Sequence, residues 1–386
     1  MNRPGVVRRM PSEEATSLIE LTREIAAGEL APYVDQQEES AEFPRDRLRA
    51  LGAAGLLSLP YEEEYGGGGQ PYEVYLQVLE EISSVWLSVG ISISVHGLSC
   101  FPLATYGTND QKERWLPGML AGDTLGAYCL SEPQSGSDAA ALTTTATLHD
   151  GTYRVNGAKA WITHGDVADF YNVMARTGSS GPQGISCLLV DRETPGIEPL
   201  PRERKMGAWA SPTAGVVFDN AMVNENRRIG REGQGFSIAM AALDAGRLGI
   251  AACAVGLAQA ALDASVDYSL TRQQFGRPIA DFQGLSFMLA DMATQICAAR
   301  ALYLDAARLR DLGLPFGTEA AMAKLFATDV AMRVTTDAIQ VFGGYGYTRD
   351  FPVERYFREA KVLQIVEGTN QVQRMVIGRS LRSSRT

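Results

Sequence analysis

Thr143-Thr-Thr-Ala-Thr147 interrupts a chain that elsewhere reads as helix, and its Thr-rich alternation decides the fold. Closely spaced β-branched residues suit a pleated strand better than a helix, where their χ1 freedom is lost. Downstream, Asp150-Gly151 and Asn156-Gly157 read as hairpin turns, because such pairs accept the positive φ that tight turns require. Ile185-Ser-Cys-Leu-Leu-Val190 and Gly215-Val-Val-Phe218 read as further strands. These runs predict a β domain over 124–234.

Working outward, the flanks are helical. Upstream, Ser12-Glu-Glu-Ala opens with a capping signal, and Gly55, Pro60 and the Gly66–Gly69 loop punctuate the segments of a first helical domain over 1–123. Downstream, Leu289, Met292, Ile296, Ala299, Tyr303 and Ala306 recur at helical spacing on one face. That stripe reads as core packing. The second helical domain spans 235–386, with helix to about Arg382 and a short polar tail. The fold class is therefore α+β: a helical domain, a middle β-barrel-like domain, then a C-terminal helical bundle.

Composition narrows the chemistry. With 386 residues, 45% of them hydrophobic, the chain can bury a large core. A formal net charge of -10 argues against nucleic acid, whose phosphates need clustered Lys and Arg. Apolar runs fall short of the eighteen or more residues that span a bilayer, and the N-terminus lacks a secretory signal's apolar core, so no membrane contact and a cytoplasmic location are expected. The five Cys lack CxxC pairing and read as reduced core thiols. His96, His149 and His164 have no metal-ligand spacing, so no metal is expected. Chemistry must rest on carboxylates or on an organic cofactor.

Several stretches carry that chemistry. Tyr128-Cys-Leu-Ser-Glu-Pro-Gln-Ser-Gly-Ser137 breaks from strand into a loop of hydroxyls and backbone donors, suited to a ligand with carbonyls and phosphates or to an ordinary polar turn. Trp161-Ile-Thr163 offers an aromatic plane and a hydroxyl, or a core Trp. Arg272-Gln-Gln-Phe-Gly-Arg-Pro278, with Gln283 beyond, supplies a guanidinium for pyrophosphate and an aromatic for a base, or simply a solvated helix end. Gln340-Val-Phe-Gly-Gly-Tyr-Gly346 breaks a helical pattern with glycines that permit close backbone approach. Finally, Gln364-Ile-Val-Glu-Gly-Thr-Asn-Gln-Val-Gln-Arg374 sets Glu367 between Ile365-Val366 and Val372. A carboxylate in apolar company titrates high, as a base working near neutral pH requires; otherwise the stretch is a C-cap with a surface acid. Neither GxGxxG after a strand nor GxxxxGK[ST] occurs.

In this order, and over essentially the whole chain, these motifs resemble the acyl-CoA dehydrogenase family: Ser131-Glu-Pro-Gln-Ser-Gly-Ser137, Trp161-Ile-Thr163, Arg272 to Gly276, Gln340 to Gly344 and Glu367-Gly-Thr369. The resemblance implies FAD. Tyr128, Leu130, Ser131, Gly136 and Ser137, with Trp161, Ile162 and Thr163, would hold the flavin ring; Arg272 and Phe275 would meet pyrophosphate and adenine, assisted by Gln283. Gln340, Gly343 and Gly344 would reach the FAD of a neighbouring subunit, implying a homotetramer of paired dimers. Thr369 and Gln371 would complete the cofactor contacts, and Ser137, Asp244, Arg247 and Gly368 would line the acyl-CoA site.

The same resemblance makes Glu367 the base that takes the α-proton of an acyl thioester while the β-hydrogen leaves as hydride to flavin N5. Some members carry their base on an earlier helix, in an Asp-x-Glu-Arg stretch; here that stretch is Asp244-Ala-Gly-Arg247, with Gly246 at the acidic position. Trp209, where many relatives have Arg, and Val366, where straight-chain relatives often have Tyr, point to short or branched acyl groups such as butyryl or isobutyryl. An electron-transferring flavoprotein is the implied acceptor. The competing readings are an acyl-CoA oxidase, which usually has a longer C-terminal region, a flavin monooxygenase, which would not need the Glu-Gly-Thr base, and a non-catalytic acyl-CoA-binding flavoprotein.

Overall fold

The computed structural model describes residues 6–383; Met1–Gly5, where the N-terminal reading begins, and Ser384–Thr386 of the expected polar tail lie outside the described residues. Helices α1 (Glu13–Ile25), α2 (Val34–Ser40), α3 (Arg45–Ala53), α4 (Tyr72–Val85), α5 (Leu87–Tyr106) and α6 (Asn109–Leu120) come first. Ser12 caps α1 by accepting from Ala15 N, as the sequence suggests. Thr108 and Gln111 form a reciprocal capping box on α6.

The chain then enters a sheet of β1 (Gly126–Cys129), β2 (Thr145–His149), β3 (Thr152–Thr163), β4 (Phe170–Arg176), β5 (Ile185–Asp191), β6 (Ile197–Arg202), β7 (Thr213–Asn224) and β8 (Arg228–Ile229). Its hydrogen-bonded path runs β6-β7-β3-β2-β4-β5-β8, with β1 added parallel to β4. Asp150 and Gly151, both at positive φ, make the β2–β3 hairpin turn. Asn156-Gly157 is not a turn, contrary to the sequence reading. It lies inside β3, where pairing with β7 shifts register; Gly157 has φ +149°, and a Cβ there would overlap Thr144. Glycine in a strand marks a bulge as readily as a turn, and here it is the bulge.

Helix returns with α7 (Gly235–Thr271), a short hairpin of β9 (Gln273–Gln274) and β10 (Arg277–Pro278), then α8 (Gln283–Asp311), α9 (Gly317–Phe342), α10 (Val353–Leu363) and α11 (Asn370–Ser383). The predicted α8 stripe is core from Met292 on: Met292, Ile296, Ala299, Tyr303 and Ala306 are all buried, and Leu289 is partly buried against them. One apolar cluster welds α4 and α5 to α7, α8 and α9, joining Leu79, Trp86 and Val89 to Leu248, Tyr303 and Val334. The sheet has its own core around Tyr153, Tyr171 and Phe218.

Two expectations need correction. Leu87–Tyr106 and Gly235–Thr271 are long and apolar enough to cross a membrane by length and composition, because scattered Ser and Gly break the apolar runs without making the helices polar; 83% and 78% of their most apolar windows are buried inside the protein. Of the cysteines, Cys100, Cys129, Cys187 and Cys253 are buried and free, whereas Cys297 is free but exposed on α8.

Candidate active site

Between α10 and α11 the chain reverses through Glu367 and Gly368, which take φ of +53° and +88°. A left-handed glutamate costs roughly 1–2 kcal/mol, so the surroundings must enforce it. They do so from three sides. Asn370 N donates to Gln364 O at 3.0 Å, closing the turn. Gln373 Nε2, from α11, donates to Glu367 O (3.3 Å) and Gly368 O (2.8 Å). Lys324 Nζ, from α9, donates to Gly368 O and to Asn370 Oδ1, each at 3.0 Å.

The reversal delivers the Glu367 carboxylate onto α7 at Gly246, where a Cβ would overlap Glu367 Oε2. The absence of a side chain at Gly246 is therefore what makes room for this acid. The residue as a whole is only partly covered, yet both carboxylate oxygens are sealed from solvent and lack a hydrogen-bond partner among the described residues. Burial pushes its pKa up to about 7, against the opposing pull of Lys324 and then Arg247. Of the apolar company expected from sequence, Val366 and Val372 are half-buried, Val366 against the main core, but Ile365 is 53% exposed, and Leu98 of α5 adds cover beside the carboxylate.

Arg247 is buried and ion-paired with Asp244, while its Nε has no partner among the described residues. Beside Gly246 and Ala245 lies a narrow cavity of about 20 Å³, lined also by Tyr61, Tyr72, Tyr75, Leu98 and Phe101. Tyr61 donates to Gly97 O (2.6 Å) and Tyr72 to Ala245 O (2.9 Å), which fixes the phenols as a wall. Sequence reading missed these tyrosines and Lys324; nothing in their spacing separates them from ordinary helix-face residues.

The loop after β1 is built on Glu132. Its carboxylate accepts from Lys159 Nζ (2.8 Å), Thr143 N (2.7 Å) and Thr144 N (2.9 Å). Although burial opposes ionisation, Lys159 and these donors hold its pKa down to about 2. The acid of that motif is thus a scaffold, and what it presents is Ser131, half-buried, and Gly136 and Ser137, exposed. Tyr128 and Leu130 are buried behind them. Across the loop, Trp161 has φ +61° and is 64% exposed at a β3 irregularity, with Ile162 buried and Thr163 half-buried.

A separate cavity of about 540 Å³ brings together Arg272, Gly343 and Gly344 with Tyr268, Phe342 and Tyr345. Nothing lies within 4 Å of a Cβ built on either glycine. Phe275, Gln283 and Gln340 are exposed and do not line it; Phe275, 93% exposed, stands at the tip of the β9–β10 hairpin. Thr369 is half-buried and Gln371 exposed beyond the base. Among the described residues no group of His, Cys, Asp and Glu could hold a metal.

Models of three consecutive domains match the chain: acyl-CoA dehydrogenase N-terminal domain at 12–123, middle domain at 127–221 and C-terminal domain at 233–382. The chain is 46% identical over 372 residues to an acyl-CoA dehydrogenase of Bacillus subtilis, covering 96% of this chain and 98% of that one. It superposes on butyryl-CoA dehydrogenase of Megasphaera elsdenii with a TM-score of 0.95 at 42% identity, covering 97% and 100% of the two chains. A chain solved in work on the electron transferring flavoprotein of Acidaminococcus fermentans matches with TM-score 0.95 and 44% identity, covering 97% and 99%.

Proposed function

Because this chain belongs to the acyl-CoA dehydrogenase family, we propose that it α,β-dehydrogenates a short- or branched-chain acyl-CoA to the trans-2-enoyl-CoA, with FAD as cofactor and Glu367 as the base. The observation that carries this reading is the Glu367 carboxylate: sealed, unpartnered among the described residues, raised to about 7 and seated in the space left by Gly246. An ordinary carboxylate is too weak a base for a thioester α-proton, and burial narrows that gap.

The residues present fit FAD. The 540 Å³ cavity combines a guanidinium, aromatic rings and two glycines whose backbone is open to approach, which suits a dinucleotide's pyrophosphate and adenosine. Arg272 would hold the pyrophosphate, Gly343 and Gly344 would reach the adenosine half of a neighbouring subunit's FAD, and the 128–137 loop with Trp161 to Thr163 would hold the ring. Bound FAD would supply the hydride acceptor. Phe275 at the hairpin tip, with Tyr347 89% exposed, leaves aromatic surface for a second copy to cover, in keeping with the expected homotetramer.

The likeness to a butyryl-CoA dehydrogenase supports a short acyl group. An electron-transferring flavoprotein as the acceptor and a cytoplasmic location complete the proposal. The test is to purify the protein, record its flavin spectrum and follow anaerobic bleaching with a panel of acyl-CoAs. Bleaching by butyryl- or isobutyryl-CoA is expected; a colourless protein that FAD cannot reconstitute would overturn the reading.

A further inference from the structure

Lys159 and Lys324 are both fully buried lysines, but they are held differently. Lys159 is paired directly with the Glu132 carboxylate at 2.8 Å. The Lys324 ammonium rests on two neutral oxygens, Gly368 O and Asn370 Oδ1, each at 3.0 Å. Burying an ammonium on neutral acceptors alone is costly, so such a group persists where its charge or its donors serve a neighbour. Its anchor is rigid: Asn370 Nδ2 donates in turn to Thr328 Oγ1 (2.9 Å) and Asp329 Oδ1 (2.8 Å).

We propose that Lys324 is a positioning residue for the base: it ties the Glu367-Gly368 reversal to α9 and sets its ammonium behind the carboxylate. The inference rests on the reading of Glu367 as the base. Two donors, Lys324 and Gln373, converge on the carbonyl of Gly368, so the left-handed pair is clamped from α9 and from α11 at once. Losing the first frees the turn to relax toward ordinary φ and swing the carboxylate off Gly246. The ammonium also favours the ionised form of Glu367, which is the form that accepts a proton.

The other titratable groups around the base are Arg247 and Cys253 on α7, Tyr72 and Tyr75 on α4, and Tyr128 on β1; those around Lys324 are Glu367, Arg247 and Asp329. Of these, only Lys324 and Arg247 draw the Glu367 pKa downward, and Lys324 contributes more. Burial lowers Lys324 itself to about 8, so its charge acts on the base below that pH, and removing it moves the base's titration to higher pH.

The test compares anaerobic flavin bleaching by butyryl-CoA across pH 6–9.5 (a range of about three units around the base) in the wild type, Lys324→Gln, Lys324→Met, Lys324→Arg and Glu367→Gln. The neutral variants should carry the acidic limb upward, losing about tenfold for each unit displaced on the acid side and recovering part of that loss at alkaline pH. Lys324→Arg should restore the limb's position. Neutral variants that keep flavin but lose the same factor at every pH would overturn the proposal, as would failure of both to fold, since either result assigns Lys324 to the scaffold alone. If Glu367→Gln bleaches at the wild-type rate, the base reading itself falls; if it is inactive while the limb stays put in the Lys324 variants, only this inference falls.

Discussion

Two buried carboxylates stand close together in the chain, Glu359 on α10 and Glu367 in the turn after it, and both have oxygens without hydrogen-bond partners among the described residues. Burial raises Glu359 to about 8, the nearby Arg355 pulling the other way, and raises Glu367 to about 7. By titration alone, Glu359 is the more perturbed. What separates them is geometry. Glu359 lies inside a helix packed against Arg355 Nη1 (3.9 Å) and the middle-domain loop, where a Cβ on Gly207 would strike the α10 backbone. Glu367 projects from a forced left-handed turn into a space cleared at Gly246, beside a cavity. A perturbed acid marks a reaction site only when the backbone also aims it at a place a substrate can reach.

The largest expected difference follows directly. Glu367→Gln should cut flavin reduction by about 10²–10⁴-fold or more, while Glu359→Gln should stay within about threefold of the wild type. Stopped-flow bleaching of the two variants side by side checks this, and equal losses would erase the distinction. Gly246→Ala comes next. Its methyl would displace the Glu367 carboxylate, and misplacement of about 1 Å can cost roughly 10²-fold, whereas an alanine near Glu359 should do nothing comparable. If kcat is unchanged in Gly246→Ala, the cleared space is incidental.

A smaller effect should appear in stability. Both acids are raised in the folded state, so the folded protein holds protons that the unfolded chain releases. Their neutral forms are fully tolerated below the ordinary carboxylate range, and stability falls as pH climbs through about 7 for Glu367 and about 8 for Glu359. Because buried His164, Lys205 and Lys324 are lowered and act in the opposite sense, the acids' contribution is read from the difference in Tm between wild type and each Gln variant, measured from pH 5 to 9 (roughly spanning these titrations). Relative to either Gln variant, the wild type should lose Tm as pH rises, more so relative to Glu359→Gln; a wild type that gains Tm relative to both variants over that range would reverse the sign and refute the burial argument.

Much of this was legible in the sequence because it is local. The Ser12 cap, the Asp150-Gly151 hairpin and the α8 stripe depend on residues a few positions apart, and the structure has them where the pattern puts them. Asn156-Gly157 failed because the same dipeptide serves a bulge, and only the register against β7 and the proximity of Thr144 decide which. The sealed Glu367 carboxylate matches the sequence expectation only in part, since cover also comes from α5 and α7, far away in sequence, while its neighbour Ile365 is exposed. Lys324 left no local mark, since its partners Gly368 and Asn370 are brought to it by the packing of α11 on α9.

The most direct test of Glu367 as the base is the pH dependence of a single anaerobic turnover with butyryl-CoA. Only the ionised carboxylate accepts the α-proton, so the reduction rate constant at limiting substrate should rise with pH through about 7 and then level off. That limb should vanish together with the activity in Glu367→Gln. A rate that is flat across this range, or that falls as pH rises through 7, would contradict the account.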